Sequence, residues 1–306
     1  MTTALFTHAA CLRHDTGPGH AERIARLEAI SAALDEPRFA ALDRREARRA
    51  SREELTRVHP EHYVDAVLSA EPDRGYSNLD PDTVMSPGSG EAALRAAGAV
   101  CAAVDAVVSG EVSNAFCAVR PPGHHAERAR AMGFCLFNNV AIGAMHARAV
   151  HGLKRVAVVD FDVHHGNGTE VVAVEDPDFF FASSHQAPLY PGTGLADREP
   201  HVLNVTLDPG AGSAIFRSAY ENRIFPALSA FRPDIILISA GFDAHELDPL
   251  AGLCLTDQDY AWVTREICAL ARNLCHGRVV SALEGGYHLE ALARSAAAHV
   301  TALMEA

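Results

Sequence analysis

Four short apolar runs constrain the fold of this chain more than any other feature of its sequence. They are rich in β-branched residues and lack the alternation of polar and apolar residues that marks a half-exposed strand. The runs cover residues 115–119, 156–159, 235–238 and 279–283. Such strands are typical of a parallel sheet that helices cover on both faces.

Helix-like segments separate these runs and complete the pattern of an α/β protein. They cover residues 90–108, 139–151, 214–231 and 257–274, with a further one at 21–35. Ser51 followed by Glu54 has the form of a capped helix start, and the turn-rich stretch 71–90 is expected to be an exposed loop. The alternation predicts one three-layer α/β/α domain over residues 1–306, built on a central, mainly parallel sheet.

Charge and cysteine content narrow the partners and the compartment. The net charge is −13, from 39 acidic and 26 basic residues, and this disfavours a nucleic-acid surface, which would be basic. The seven cysteines are scattered without a Cys-x-x-Cys pair, as expected for reduced thiols. No signal peptide or membrane-spanning run is evident, so we expect a cytoplasmic protein that binds neither nucleic acid nor membrane. The oligomeric state stays open, a homo-oligomer included.

Each apolar run ends in a polar, glycine-bearing cluster at its carboxyl end. These clusters cover residues 120–125, 160–168, 239–243 and 284–287. In open α/β sheets the ligand crevice lies outside the carboxyl ends of the strands. We therefore expect the four clusters to converge on one site.

The second cluster contains a pattern typical of metal ligands, Asp160-x-Asp162-x-His164. If the segment stays extended, these three side chains share one face. Asp162 and His164, joined by Asp243, would supply three ligands and leave a fourth position open, as in a catalytic zinc site; Fe²⁺ or Co²⁺ would suit the same oxygen-rich set. Taken alone, the pattern is as compatible with a turn and helix start as with a metal site.

Two further features suit acid–base and acyl-transfer chemistry. The tandem His124 and His125 follow a rigid Pro-Pro-Gly turn and suit proton transfer near neutral pH, with Asp160 able to fix one imidazole tautomer. Tyr287 follows two glycines and could donate to a developing oxyanion, although a lone tyrosine is more often a packing residue. The sequence contains no nucleophile elbow, phosphate loop, dinucleotide-binding motif or His-Glu-x-x-His motif.

Together these segments resemble the histone deacetylase superfamily, in the branch that holds class II enzymes and bacterial histone deacetylase-like amidohydrolases. The matching segments lie at residues 20–23, 120–125, 133–139, 159–169, 190–194, 239–245 and 284–287. The resemblance implies the arginase/deacetylase fold and zinc-dependent removal of acetyl groups from acetyl-lysine or a related acylated amine, with release of acetate.

The resemblance also implies a role for individual residues. Asp162, His164 and Asp243 would bind one Zn²⁺ per chain. The catalytic group would be His124 and His125 as the general acid/base pair, Asp160 as the partner of His124, and Tyr287 as the carbonyl polariser. The implied substrate-binding positions are Gly133, Phe134, Tyr190, Asp82, Gly285 and Arg23, the last beside the acetate exit. A structural K⁺ is implied near Asp160, Asp162, His164 and Ser183.

Asn167 departs from the class I pattern, which has an aspartate at this position as the partner of His125. A neutral amide there removes a negative charge that would favour the protonated imidazole. We therefore expect His124 and His125 to differ in basicity.

Three alternatives stay open. An acetylpolyamine or small-amide hydrolase would use the same site, although the short 71–90 stretch favours an open mouth and acetyl-lysine or a small amide. An arginase-like hydrolase would hold two metals and need further carboxylates. A binding or sensing module would keep the pocket without turnover.

Overall fold

The computed structural model describes residues 2–306, whose core is an eight-stranded sheet. The strands are β1 (Thr3–Thr7), β2 (Asp43–Glu46), β3 (Ser77–Asp80), β4 (Thr83–Met85), β5 (Asn114–Cys117), β6 (Val156–Asp160), β7 (Phe179–Gln186), β8 (Val202–Leu207), β9 (Ile235–Ala240) and β10 (Val279–Leu283). The sheet order is β2-β1-β5-β10-β9-β6-β7-β8, and every neighbouring pair is parallel. The separate pair β3–β4 is antiparallel.

Helices cover both faces of this sheet. They are α1 (Ile24–Leu34), α2 (Arg52–Thr56), α3 (Glu61–Ser69), α4 (Ser89–Val108), α5 (Asn139–His151), α6 (Asn167–Val174), α7 (Ser213–Ala219), α8 (Phe225–Phe231), α9 (Asp257–Leu274) and α10 (Leu289–Met304). Helices α4 and α5 pack together, as do α1, α9 and α10. Every residue of the central strands β5, β6, β9 and β10 is buried. The predicted three-layer α/β/α class is confirmed.

The predicted helices match closely where local signals mark their ends. Helix α5 ends at a left-handed Gly152, and Ser51 forms a capping box with Glu54 at the start of α2. The predicted segment 214–231 is continuous, with a π-helical turn over Tyr220–Ile224 between α7 and α8. Within residues 2–306 no helix is long and apolar enough to cross a membrane.

The expectation of an exposed loop over residues 71–90 is confirmed only for residues 73–76 and is wrong for the rest of the stretch. This stretch contains the β3–β4 hairpin, in which Thr83 and Met85 are buried. The Glu71 carboxylate accepts hydrogen bonds from the backbone N–H groups of Gly88 (2.8 Å) and Gly90 (2.5 Å), and so ties the segment to the start of α4. The turn-forming residues of this stretch therefore shape a packed hairpin.

Candidate active site

Four neighbouring strands bring the polar clusters together. Strands β5, β10, β9 and β6 are adjacent in the sheet, and each predicted cluster follows the carboxyl end of one of them. The side chains of Asp160, Asp162, Asp243, His124 and His125 are all buried there. Residues that lie far apart in the sequence thus form one buried polar site.

A group of three side chains at this edge could hold a metal ion. His164 Nδ1 lies 3.0 Å from Asp162 Oδ1 and 3.1 Å from Asp243 Oδ2. The ligand atoms of these residues all lie within 4.8 Å of one another. The predicted ligand set is therefore assembled in space.

The path of the chain that assembles these ligands differs from the predicted extended one. Strand β6 ends at Asp160, and two successive turns follow: the Asp162 N–H donates to Asp160 Oδ1 (3.1 Å), and the His164 N–H donates to Asp162 Oδ1 (2.9 Å). Short carboxylates often bond the backbone two residues on, which bends the chain. Asp160 is consequently aimed at His124 and stands outside the ligand group.

The surroundings of the three ligands suit a divalent cation. Asp162 Oδ2 accepts from the Gly285 N–H (2.8 Å) and Asp243 Oδ1 from the Val163 N–H (2.9 Å), so each carboxylate turns its other oxygen toward His164. Burial disfavours a charged imidazole, yet these two carboxylates raise the pKa of His164 to about 10. The group therefore stabilises positive charge strongly, and its donors fit Zn²⁺.

Different surroundings shift the pKa values of the two adjacent histidines in opposite directions. His124 Nδ1 lies 2.9 Å from Asp160 Oδ2. Burial alone would disfavour its imidazolium, but Asp160 and Asp162 outweigh burial and raise the pKa of His124 well above its ordinary value. Burial, and then the charges of His124 and His164, hold the pKa of His125 well below its ordinary value. These shifts agree with the prediction that His124 and His125 differ in basicity.

The tautomer of His125 follows from a chain of hydrogen bonds. The Asn167 amide nitrogen donates to Glu127 Oε1 (2.8 Å), which turns Asn167 Oδ1 toward His125 Nδ1 at 2.8 Å. Nδ1 must therefore carry the proton, and Nε2 keeps its lone pair. The sequence did not indicate a role for Glu127, because its link to the site is the hydrogen bond from Asn167, 40 residues along the chain.

A cavity of about 250 Å³ leads down to these groups. It is lined by Asp82, His125, Gly133, Phe134, His164, Leu189, Tyr190, Leu250 and Tyr287. Gly133 has a φ of +55°, and a β-carbon there would collide with the His125 ring, so glycine is required. The predicted positions Asp82, Gly133, Phe134 and Tyr190 thus line the cavity, while Gly285 lies outside this lining, against the carboxylates of Asp162 and Asp243.

The structure does not bring Arg23 to this site. Arg23 is an exposed residue that precedes α1, whereas Arg26, one turn later, is fully buried. Arg26 donates to the carbonyl oxygens of Gly286 and Glu284, and its guanidinium lies 4.9 Å from the centroid of the Tyr287 ring. The helical spacing of Glu22 and Arg26, which form an ion pair at 3.0 Å, was the signal that could have identified Arg26.

Two buried carboxylates to which the sequence assigned no role support the loops that carry His124 and Tyr287. Glu284 Oε2 accepts from the N–H groups of Gly123 (2.7 Å) and His124 (3.1 Å). Asp248 Oδ2 accepts from the Tyr287 N–H (2.7 Å). Burial raises the pKa of each carboxyl to about 7, with Asp243 adding to the effect at Asp248. Both residues hold backbone that carries a predicted catalytic side chain.

Comparisons by family profile, sequence and structure all match this chain to histone deacetylases. The profile of the histone deacetylase domain matches residues 20–303. The chain is 41% identical to histone deacetylase 14, chloroplastic, of Arabidopsis thaliana, over 98% of this chain and 76% of that protein. It is 39% identical to the histone deacetylase-like amidohydrolase of Pseudomonas aeruginosa, over 93% and 81%. The crystal structure of the HDA15 HD domain matches with a TM-score of 0.94 at 36% identity, over 99% of this chain and 88% of that chain.

Proposed function

The chain belongs to the histone deacetylase family, as its sequence predicted, and from this we propose that it is a zinc-dependent amidohydrolase that removes acetyl groups from acylated amines. The observation that carries the proposal is the group Asp162, His164 and Asp243 at the base of the cavity that His125 also lines. A three-ligand group beside an acid/base pair is the equipment of a metal-assisted hydrolase.

The cavity supports acetyl-lysine, or a related acylated amine, as the substrate class. Phe134, Tyr190 and Leu250 give it apolar walls, which suit an unbranched methylene chain that ends in a neutral acyl group. Asp82, at the rim, could accept a hydrogen bond from a substrate N–H. We propose that Asp82, Gly133, Phe134 and Tyr190 contact the substrate.

One zinc ion on Asp162, His164 and Asp243 would supply Lewis acidity to the acyl carbonyl and to the attacking water. Fe²⁺ or Co²⁺ would fit the same donors. Because Asp160 is engaged by His124, the group has three protein ligands, which favours a single ion over a two-metal, arginase-like centre. We also propose a structural K⁺ near Asp160, Asp162, His164 and Ser183. The pairing of Asp160 with Ser183 across β6 and β7 supports this site.

The protein groups divide the proton transfers between them. His125, neutral and protonated on Nδ1, would accept the proton of the attacking water at Nε2. His124, protonated and held by Asp160, would donate to the departing amine, so that acetate and a free amine leave the site. A divalent ion on the neighbouring ligands would lower the pKa of His124, which would make that proton easier to transfer.

Tyr287 would stabilise the negative charge that develops on the carbonyl oxygen. Its ring lines the cavity, and burial raises the pKa of its phenol well above the ordinary value, so the hydroxyl keeps the proton it would donate. Asp248 and Arg26 hold the backbone and the ring of Tyr287 in place. The tyrosine is thus a fixed donor.

We further propose that residues 1–306 act as one domain and that the enzyme works in the cytoplasm. The family profile over residues 20–303 supports the single domain. All seven cysteines are free thiols, six of them buried, which supports a reducing compartment.

The test is a substrate panel on zinc-loaded protein, with acetyl-lysine peptides, acetylated polyamines and simple acetamides, and acetate release as the measurement. We expect acetyl-lysine peptides or small amides to be hydrolysed and the Asp243→Ala variant to be inactive. A preference for acetylated polyamines would indicate a polyamine deacetylase that uses the same reaction. Zinc-loaded wild type that releases no acetate from any member of the panel would leave only a binding module.

A further inference from the structure

A second cluster of metal-ligand side chains joins the carboxyl ends of α4 and α5. Asp105 lies in the last turn of α4, and His146 and His151 lie in the second half of α5. His146 Nε2 is 2.6 Å and His151 Nε2 is 2.7 Å from the same atom, Asp105 Oδ1. We propose that Asp105, His146 and His151 bind a divalent transition-metal ion of the zinc class, separate from the catalytic centre.

The donor set and its geometry suit such an ion. Two imidazoles and one carboxylate, with the remaining positions left to water, are a common ligand set for zinc and its neighbours. The three ligand atoms already lie within 4.8 Å of one another. Metal–ligand bonds of about 2.0–2.2 Å place tetrahedral ligand atoms about 3.4 Å apart, so each imidazole nitrogen would move away from Asp105 Oδ1 by about 0.7–0.8 Å. One ion would then replace the two Nε2 protons that now share one oxygen.

His146 has the outer partner that metal-bound histidines usually have. Its Nδ1 lies 3.2 Å from Glu54 Oε1, and Arg48 holds the Glu54 carboxylate through bonds of 2.6 and 2.8 Å. An Nδ1–H that donates to this carboxylate would leave Nε2 free for a metal. Arg57 Nη1 also lies 2.9 Å from Nδ1 and would have to give up this contact. Arg57 would keep its other partner, since its Nη2 donates to Glu53 at 3.0 Å.

The proposed site should bind its ion more weakly than the catalytic group. The Asp105 side chain is 40% exposed and that of His151 is 21% exposed, whereas Asp162 and Asp243 are buried. Around the three ligands, the charge of Asp105 is further offset by Arg48, which lies 3.4 Å from its second oxygen. The ion would therefore exchange with solvent more readily than the ion of the catalytic group.

The experiment counts zinc by elemental analysis after dialysis against buffered Zn²⁺, and measures the affinity of each site by competition with a chelating dye. We expect two equivalents in wild type, one in His151→Ala and one in Asp243→Ala. His62→Ala removes an exposed histidine of α3 and should keep two. Glu54→Gln should weaken the weaker site by about 10–100-fold, the usual effect of removing an outer partner.

Equal zinc content and affinity in wild type and His151→Ala would overturn the proposal, as would an equal loss in His62→Ala. If His151→Ala does not fold, His151→Gln keeps a donor to Asp105 without being a good zinc ligand, and its zinc content decides. The proposal is independent of the deacetylase function: His151→Ala should keep full acetate release, whereas Asp243→Ala should lose it and keep the second ion. Two zinc ions per chain would then not indicate a dinuclear catalytic centre.

Discussion

Replacing Asn167 by aspartate places a negative charge on the partner of His125 with almost no change in side-chain size. His125 Nδ1 lies 2.8 Å from Asn167 Oδ1, so the two charge centres would be about 4 Å apart. At an effective dielectric constant of about 20, such a pair interacts by about 4 kcal/mol, which corresponds to about 3 pKa units. The sign is upward, because a negative neighbour favours the protonated imidazole.

The carboxylate of Glu127 should reduce this rise in the pKa of His125. Its Oε1 accepts the Asn167 amide N–H at 2.8 Å, so a new carboxylate at position 167 would face an existing one. Repulsion favours sharing one proton between them, and we expect the pKa of His125 to rise by about 1–2 units. In Asn167→Asp with Glu127→Gln, the donor is restored and the rise should approach about 3 units.

The acid limb of kcat/KM against pH measures the pKa of the essential base in the free enzyme. A base works in its deprotonated form, so a raised pKa moves the acid limb upward and lowers activity about tenfold per unit at pH values below the new midpoint. Glu127→Gln alone is the control and should leave the limb near its wild-type position. If both Asn167→Asp variants are folded, zinc-loaded and unshifted, His125 is not the base.

Three further changes test other parts of the site. Tyr287→Phe should lower kcat by about 10²–10³-fold with unchanged zinc content, measured by acetate release and elemental analysis. Arg26→Ala should cost about 3–5 kcal/mol in the free energy of unfolding by denaturant titration, because it breaks a buried ion pair, whereas Arg23→Ala should stay within about 0.5 kcal/mol. Gly285→Ala puts a β-carbon 2.6 Å from the Asp162 carboxylate and closer still to that of Asp243. The affinity for zinc, measured by competition titration, should therefore fall at least about tenfold. The control Gly252→Ala, whose nearest contact is 3.4 Å, should not change this affinity.

The sequence predicted the central strands because their signal is simple. Strands buried on both faces are mostly apolar, and β6, β9 and β10 are buried from end to end with one polar residue each, Asp160, Ser239 and Ser281. The edge strand β2 (Asp43–Glu46) is entirely charged and alternates half-buried and exposed residues, so composition gave no sign of it. Strand β7 buries Ser184, whose hydroxyl lies 2.9 Å from the Tyr220 hydroxyl. A polar residue with a partner that far along the chain cannot be recognised as buried from its neighbours.

Long-range partners also explain which features of the site the motifs predicted and which they did not. Asp162, His164 and Asp243 were recognisable because each stands just beyond a buried strand, where topology alone decides the meeting point. The opposite pKa shifts of His124 and His125 have another origin, since both imidazoles are buried and they differ in their partners. The carboxylate of Asp160 comes from the end of β6, and the amide of Asn167 from the first turn of α6. A single strand-to-helix connection thus gives the two imidazoles different partners, and exchanging the two partner side chains should lower the pKa of His124 and raise that of His125.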